Sequence, residues 1–172
     1  MSNFGFIKVA ATTPPLKVAD PDYNVGKIIE FAKRAAKEGA KIIVFPELSV
    51  SGYTAADLFH QRVLLEKITK SLNKIKIASK EVKSILILGA PIECDGKLLN
   101  TAVVVFGGQI LGIVPKTYLP GYKEFYEERW FASARDLITS RLHSGLQNND
   151  IPIGTDLLFR IKGMPEAILG IE

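Results

Sequence analysis

A glutamate near the start of the chain follows an apolar run and could serve as a general base. The run Ile42–Phe45 is typical of a strand buried on both faces, and Pro46 has no N–H group to continue a ladder of hydrogen bonds. Glu47 would then stand at the carboxyl end of that strand, where open α/β sheets bind their ligands. Gly52 permits a turn, and Tyr53 adds an aromatic wall. Taken alone, however, a glutamate at this position is more often a solvated loop residue.

A lysine occupies the equivalent position after a later strand. The run Gln109–Val114 predicts a strand, Pro115 stops it, and Lys116 follows. If both strands belong to one sheet, the side chains of Glu47 and Lys116 converge on one cavity. The ammonium group of Lys116 could stabilise an oxyanion there. In isolation Lys116 too is more often a solvated loop residue.

The segment that follows this lysine is dense in aromatic residues. Residues 122–131 read YKEFYEERWF, so five of these ten positions carry an aromatic ring. Aromatic rings beside acidic side chains build small-molecule pockets. Phe125, Trp130 and Phe131 could instead belong to the hydrophobic core.

The elements that must position these residues indicate an α/β fold. In chain order they are a strand at Phe6–Ala11, a helix between Asp20 and Gly39, the strand Ile42–Phe45, a short turn or helix at Ala55–Phe59, a helix at Gln61–Lys80, and strands at Ser84–Leu88, Asn100–Phe106, Gln109–Val114, Leu157–Ile161 and Ala167–Ile171. The first three elements form a parallel βαβ unit, and Gly107-Gly108 predicts an antiparallel hairpin. Gly89 is expected to end its strand, and Lys162–Pro165 to join the last two. Ser133–Gly154 is polar and turn-prone, and we expect an exposed excursion that could contact another subunit.

Composition limits the classes of partner. The chain has 172 residues, enough for one domain, with 47% apolar residues and a net charge of +4 spread along the sequence, so we predict no nucleic-acid partner. Residues 1–5 lack a signal-peptide pattern and no apolar run approaches the ~20 residues of a membrane span, so we expect a cytoplasmic location and no membrane. Cys94 has no partner for an internal disulfide, and His60 and His143 lack the spacing of metal ligands, so no metal site is predicted.

Several of these stretches resemble motifs of the nitrilase superfamily. The motifs are FPEL at 45–48, SGY at 51–53, LNTAV at 99–103 and PKTYLP at 115–120. More narrowly, Asp57–Phe59 and Tyr122–Phe131 resemble the glutaminase domain of glutamine-dependent NAD⁺ synthetases. The resemblance extends from about Phe4 to Glu172 and is weakest across Ser133–Gly154.

The resemblance implies a nitrilase-like α-β-β-α sandwich, incomplete here, and a Glu-Lys-Cys triad. Glu47 matches the general base, Lys116 the lysine that stabilises the oxyanion, and Glu127 a second carboxylate that orients the site. The residues that match the glutamine pocket are Tyr53, Tyr122, Phe125 and Glu127.

The nucleophile of that triad is expected outside the chain. By the resemblance it would follow the last residue of this sequence, and Cys94 matches no catalytic motif. Residues 1–172 would then be a partial glutamine amidotransferase domain that is inactive alone. The synthetase domain, with its ATP and Mg²⁺, would lie elsewhere in a homo-oligomeric protein that makes NAD⁺ from deamido-NAD⁺ and glutamine.

Two other interpretations stay open at this point. The chain could belong to a stand-alone nitrilase-family amidase that acts on another small amide. It could also be a scaffold domain in which Glu47 and Lys116 are structural.

Overall fold

The computed structural model describes residues 6–161 and 164–171, which form an α/β sandwich. Its main sheet has five strands in sequential order, β1 (Val9–Ala11), β2 (Ile42–Val44), β3 (Ile85–Cys94), β4 (Lys97–Phe106) and β5 (Gln109–Pro115). The strands β1, β2 and β3 run parallel, whereas β4 and β5 continue the same sheet as antiparallel hairpins. The helices α1 (Pro21–Lys37) and α2 (Arg62–Val82) connect the parallel strands. The predicted βαβ unit and the hairpin at Gly107-Gly108 are therefore confirmed.

Local sequence explains the ends of α1. The carboxylate of Asp20 accepts the N–H of Tyr23 at 3.1 Å, and Pro21 occupies the first helical position, where its missing N–H is not needed. Gly39 follows the last turn with a φ of +91°, a conformation that glycine adopts without steric cost. The helix predicted between Asp20 and Gly39 is thus confirmed.

The two faces of the main sheet are covered by different elements. The helices cover one face, and the buried side chains there include Ile28, Ala32, Ile43, Leu72, Ile75, Leu86, Leu88, Val103 and Ile113. A short hairpin near the end of the chain packs on the opposite face, where the buried cluster comprises Ile42, Ile85, Ile87, Val104, Val114 and Phe159. Both strand faces are apolar because each one packs against another layer.

Some strand predictions were wrong in extent. The first strand covers only Val9–Ala11, and Val44 in β2 is 39% exposed rather than buried on both faces. Gly89 does not end β3, which continues to Cys94. A glycine is found there because the turn after β2 lies directly against its Cα, which leaves no room for a side chain.

The segment predicted as an exposed excursion, Ser133–Gly154, folds back on the domain. It contains a two-stranded ribbon of β6 (Arg141–Leu142) and β7 (Ile151–Pro152). Its apolar side chains Leu142, Leu146, Ile151 and Ile153 are buried in the core cluster on the helix side. The segment is therefore not an exposed excursion throughout, because four apolar side chains among its polar residues anchor it to the core.

The terminal hairpin consists of β8 (Phe159–Ile161) and β9 (Met164–Leu169). In the predicted join, Met164 and Pro165 belong to β9, whereas Lys162 and Gly163 lie outside the described residues, as does Glu172. Neither helix of the described ranges has the length and hydrophobicity that crossing a bilayer requires.

Candidate active site

Main-chain contacts with the sheet hold the turn that carries Glu47. β2 ends before Pro46, and the N–H of Ser49 donates back to the Pro46 carbonyl at 3.1 Å. The next N–H, that of Val50, donates to the carbonyl of Gly89 in β3 at 3.1 Å. A main-chain hydrogen bond three residues after Glu47 therefore holds the turn against the neighbouring strand.

Two backbone constraints fix the direction in which Glu47 leaves this turn. A Cβ at Gly89 would lie 2.8 Å from the Glu47 Cα and closer still to the backbone nitrogen of Leu48. Leu48 itself has a φ of +51°, a left-handed conformation that costs a non-glycine residue about 1–2 kcal/mol. Such strain persists only where the surroundings impose it, as is common at functional sites.

Lys116 extends from the end of β5 toward the same sheet edge. Its N–H donates to the carbonyl of Asn100 in β4 at 2.8 Å, and its own carbonyl accepts the N–H of Ala134 at 2.9 Å. Its Nζ lies 2.7 Å from Oε1 of Glu47. The structure thus brings together the two charged residues singled out in the sequence, although 69 positions separate them.

Glu127 contacts the same lysine from a different segment of the chain. It begins a 3-10 turn, Glu127–Arg129, and its N–H donates to the Pro120 carbonyl at 3.2 Å. Its oxygens lie 3.0 and 2.9 Å from Nζ of Lys116, and the hydroxyl of Tyr53 donates to Oε1 at 2.6 Å. The Glu127 side chain is only 2% exposed, whereas that of Glu47 is 43% exposed.

The electrostatics keep both donors protonated. Burial alone lowers the pKa of Lys116, but its hydrogen bonds to Glu47 and Glu127 outweigh that effect and raise the pKa. Burial, followed by the hydrogen bond to Glu127, raises the pKa of Tyr53 far above its usual range. The site therefore holds an ammonium group in contact with two glutamate side chains, of which Glu47 is exposed and Glu127 is enclosed.

A cavity of about 260 Å³ opens beside this cluster, and Glu47, Lys116 and Asn100 are among the residues that line it. A small amide fits a space of this size. In it, Glu47 could exchange a proton and Lys116 could stabilise negative charge on a carbonyl oxygen. A larger groove of about 780 Å³ runs past Tyr118 and Trp130, but its lining includes neither of the two charged residues.

None of the four residues predicted for the glutamine pocket lines this cavity, although Tyr53 and Glu127 belong to the hydrogen-bonded cluster beside it. Tyr122 is 64% exposed, and its ring packs edge-on against that of Phe125, with 5.8 Å between the ring centroids. Neither ring is among the residues that line the cavity beside Glu47. Of the residues in the aromatic segment, Glu127 alone contacts Lys116 through a hydrogen bond in the part of the chain that the structure describes.

Cys94 does not contribute a thiol to this cavity. It is the last residue of β3, five positions beyond Gly89, which corresponds to about 16 Å along an extended strand. It is buried, and burial followed by the charge of Asp95 raises the pKa of the Cys94 thiol. Among the described residues, no cluster of His, Cys, Asp and Glu side chains is arranged to bind a metal ion.

No role for Asn100 follows from the sequence motifs alone, although it contacts both charged residues of the site. Its side-chain amide donates to Oε1 of Glu47 at 2.5 Å, and its backbone carbonyl accepts the N–H of Lys116. The available signal was the polar Asn100-Thr101 pair inside an otherwise apolar strand.

These features define a carbon–nitrogen hydrolase fold with a Glu-Lys-Glu cluster. The sequence model of the carbon-nitrogen hydrolase family matches residues 8–167, so the chain belongs to that family.

Its similar relatives include glutamine-dependent NAD(+) synthetases. The protein from Mycobacterium tuberculosis (strain ATCC 25618 / H37Rv) is 38% identical over 168 residues, which cover 98% of this chain and 24% of that protein. The protein from Acinetobacter baylyi is 34% identical over 127 residues, or 73% of this chain and 23% of that protein. The chain therefore spans about a quarter of the length of these curated relatives.

Solved structures confirm the predicted fold class. The glutamine-dependent NAD(+) synthetase from Cytophaga hutchinsonii has a TM-score of 0.84 at 24% identity and covers 95% of this chain and 27% of its own. The enzyme from Acinetobacter baumannii scores 0.73 at 29% identity over 91% of this chain and 26% of its own. An amidase from Nesterenkonia sp. scores 0.64 at 21% identity over 74% of this chain and 48% of its own.

Proposed function

We propose that this chain is the glutaminase part of a glutamine-dependent NAD⁺ synthetase. The observation that carries the proposal is the placement of Lys116 between Glu47 and Glu127 beside an open cavity. The similarity to the mycobacterial synthetases across nearly the whole chain supports glutamine as the amide.

In this proposal the nucleophile is a thiol from outside the present sequence. The thiol proton passes to Glu47 as sulfur attacks the amide carbonyl of glutamine, and Lys116 stabilises the oxyanion that forms. Glu47 then gives the proton to the departing nitrogen as the C–N bond breaks, which leaves a thioester and ammonia. Water attacks the thioester, Glu47 takes a proton from that water, and the proton returns to sulfur as glutamate leaves.

Glu127 and Tyr53 act on this chemistry through Lys116. The enclosed carboxylate of Glu127 binds the same ammonium group with both of its oxygens. Tyr53 holds Glu127 in turn. Lys116 is thereby fixed as a charged group, so it need not reorganise when the oxyanion develops.

The remaining parts of the activity belong to the longer protein that we propose. There, a second domain would use ATP and Mg²⁺ to convert deamido-NAD⁺ to NAD⁺ with the released ammonia. Residues 1–172 alone would be inactive. We also propose a cytoplasmic homo-oligomer.

The test compares two sources of nitrogen in the full-length protein. Glu47→Gln should reduce glutamine-dependent NAD⁺ synthesis by about 10²–10⁴-fold, because the base is lost. Synthesis from added ammonium chloride should persist, since it bypasses the glutaminase site. Glu66→Gln is a matched control, because Glu66 is an exposed glutamate paired with Arg62 on α2.

Each outcome separates the competing interpretations. A stand-alone amidase would make no NAD⁺ from either nitrogen source and would release ammonia from another amide. A scaffold domain would leave the glutamine-dependent rate of Glu47→Gln equal to that of the parent. Glutamine turnover by residues 1–172 alone would contradict the external thiol.

A further inference from the structure

Asn100 connects the two charged residues of the site. It lies inside β4, is 3% exposed, and faces the edge at which β2 and β5 end. Its Nδ2 donates to Oε1 of Glu47 at 2.5 Å, while its carbonyl accepts the Lys116 N–H at 2.8 Å. One buried residue therefore contacts the side chain of Glu47 and the backbone of Lys116.

These contacts make the two oxygens of the Glu47 carboxylate unequal. Oε1 accepts both the amide of Asn100 and the ammonium of Lys116, at 2.5 and 2.7 Å. A carboxylate oxygen offers about two lone-pair sites, so both sites of Oε1 are occupied. Within residues 6–161 and 164–171, Oε2 has no hydrogen-bond donor.

We propose that Asn100 is a positioning residue that selects Oε2 of Glu47 as the proton-accepting atom. The inference rests on the proposed glutaminase function, in which Glu47 takes the thiol proton. That proton moves from sulfur to Oε2 as the S–C bond forms, and from Oε2 to nitrogen as the C–N bond breaks. Oε1 stays bound to its two donors throughout.

Lys116 alone cannot hold Glu47 in this orientation. The same ammonium also binds both oxygens of Glu127, so its donors are divided between two carboxylates. The terminal torsion of a glutamate is broad and nearly two-fold, so a carboxylate with one shared donor exchanges its oxygens easily. The amide of Asn100 supplies the second anchor that prevents this exchange.

The amide of Asn100 donates its hydrogen bond without adding a charge beside Glu47. The site already places two carboxyl groups, those of Glu47 and Glu127, around one ammonium group, and Tyr53 beside them stays protonated. An aspartate at position 100 would have nearly the same shape, but it would replace the donor with a second negative charge next to Glu47. The isosteric variant therefore separates a donor role from simple space filling.

The experiment measures glutamine hydrolysis by the full-length protein with Asn100→Asp and Asn100→Leu. We expect kcat to fall about 100-fold in both variants, with KM changed by less than about threefold, because the defect lies in proton transfer. In Asn100→Asp the acid limb of the pH–rate profile should move to higher pH, since two adjacent carboxylates resist joint ionisation. Asn100→Leu should show no such displacement of the acid limb.

Thr101→Val is the matched control. Thr101 is also 3% exposed and follows Asn100 in β4, but its hydroxyl donates to the carbonyl of Ala90 rather than to Glu47. Its loss should lower stability and leave the pH–rate profile in place. Hydrogen-exchange protection of the β4 backbone amides in each full-length variant reports whether the domain that carries Asn100 is folded.

The results distinguish this inference from the proposed function. If the parent has no glutaminase activity, or Glu47→Gln retains it, the proposed function fails. If Glu47→Gln is inactive but a folded Asn100 variant keeps kcat within about threefold of the parent, the positioning role is overturned. Should the aspartate variant not fold, the leucine variant decides on kcat alone.

Discussion

Glu47 and Glu127 both contact the ammonium group of Lys116, but Glu47 is exposed to solvent and Glu127 is buried. The side chain of Glu47 is 43% exposed and faces a cavity, whereas that of Glu127 is 2% exposed. Both lie within 3.0 Å of Nζ of Lys116. The difference therefore lies in how each carboxylate is enclosed and held, not in its distance from the lysine.

Main-chain contacts hold the turn that carries Glu47, in addition to the side-chain donors Asn100 and Lys116 on its carboxylate. The Glu47 turn rests on β3 at Gly89, which accepts the N–H of Val50 and leaves no space for a Cβ. Glu127 instead depends on donors from Tyr53 and Lys116.

A second contact involving side chains helps to hold the segment that carries Glu127. The carboxylate of Asp57 accepts from Arg129 and from Trp130 at 3.0 and 3.1 Å. This contact joins the turn after Tyr53 to the residues that follow Glu127.

The different environments of Glu47 and Glu127 suit two different tasks, proton transfer and the positioning of Lys116. An exposed carboxylate on a rigid turn can take and release protons at a substrate, because water and ligand reach it. A buried carboxylate must keep its donors, because an unpaired buried charge is strongly destabilising. Mutations at the two sites should accordingly affect activity and stability in different proportions.

The largest effect is expected from Gly89→Ala, which should disrupt the Glu47 turn through the backbone. The added Cβ would overlap the backbone of Glu47 and Leu48, so the turn must shift. We expect glutamine-dependent turnover of the full-length protein to fall by at least about 100-fold, because the base moves by more than catalysis tolerates. Overpacking should also lower the free energy of unfolding by about 1–3 kcal/mol.

Gly26→Ala is the control for this prediction. Gly26 lies in α1, and a Cβ there would meet no atom within 4 Å. This change should stabilise the protein by about 0.5–1 kcal/mol, measured by urea unfolding, and leave turnover unchanged. If Gly89→Ala and Gly26→Ala had the same turnover and the same free energy of unfolding, the close approach of the Glu47 turn to Gly89 would be contradicted.

A smaller effect is expected from Tyr53→Phe, which tests the side-chain support of Glu127. The change removes the 2.6 Å hydrogen bond while it keeps the ring. A hydrogen bond to a charged group contributes about 1.5–3 kcal/mol, so urea unfolding should show a loss in this range. Tyr126→Phe, at a tyrosine that is 61% exposed in the same segment, should have almost no effect. Equal urea midpoints for Tyr53→Phe and Tyr126→Phe would show that Glu127 does not need the Tyr53 hydroxyl as a donor.

Local rules predicted the elements that bring Glu47 and Lys116 to one edge. Proline follows the apolar run of each strand, and the helix after Pro46 predicts that β3 runs parallel to β2. Whether the later hairpin strands join the same sheet stayed open in the sequence. In the structure two hairpin reversals return β5 to the direction of β2 within one sheet, which places both residues at one edge. The fold class followed from the same pattern and from the motifs.

The contacts that complete the site could not be predicted in this way. Asn100 lies 53 positions from Glu47, and Tyr53 lies 74 positions from Glu127, so no local pattern reports either hydrogen bond. Gly89 was interpreted as a strand end because glycine usually interrupts strands, whereas here a neighbouring turn requires it. Burial of Glu127 depends on tertiary packing that composition does not encode.

The smallest effect is expected from Asp57→Asn, which weakens the exposed contact beside Glu127. Hydrogen bonds from Arg129 and then from Trp130 lower the pKa of Asp57 below its ordinary value of 3.8. A lowered carboxyl pKa stabilises the folded state above the ordinary value, and this stabilisation disappears as the pH falls through the lowered value. The urea midpoint of the variant, followed by Trp130 fluorescence, should therefore lie slightly below that of the parent at pH 7 and approach it as the pH falls below 3.8. Added salt should reduce the difference at pH 7, because Asp57 and Arg129 are 70% and 65% exposed. If the difference between the urea midpoints were independent of both pH and salt, the contact of Asp57 with Arg129 and Trp130 would act through packing rather than charge. The segment that carries Glu127 would then be held by packing as well as by hydrogen bonds.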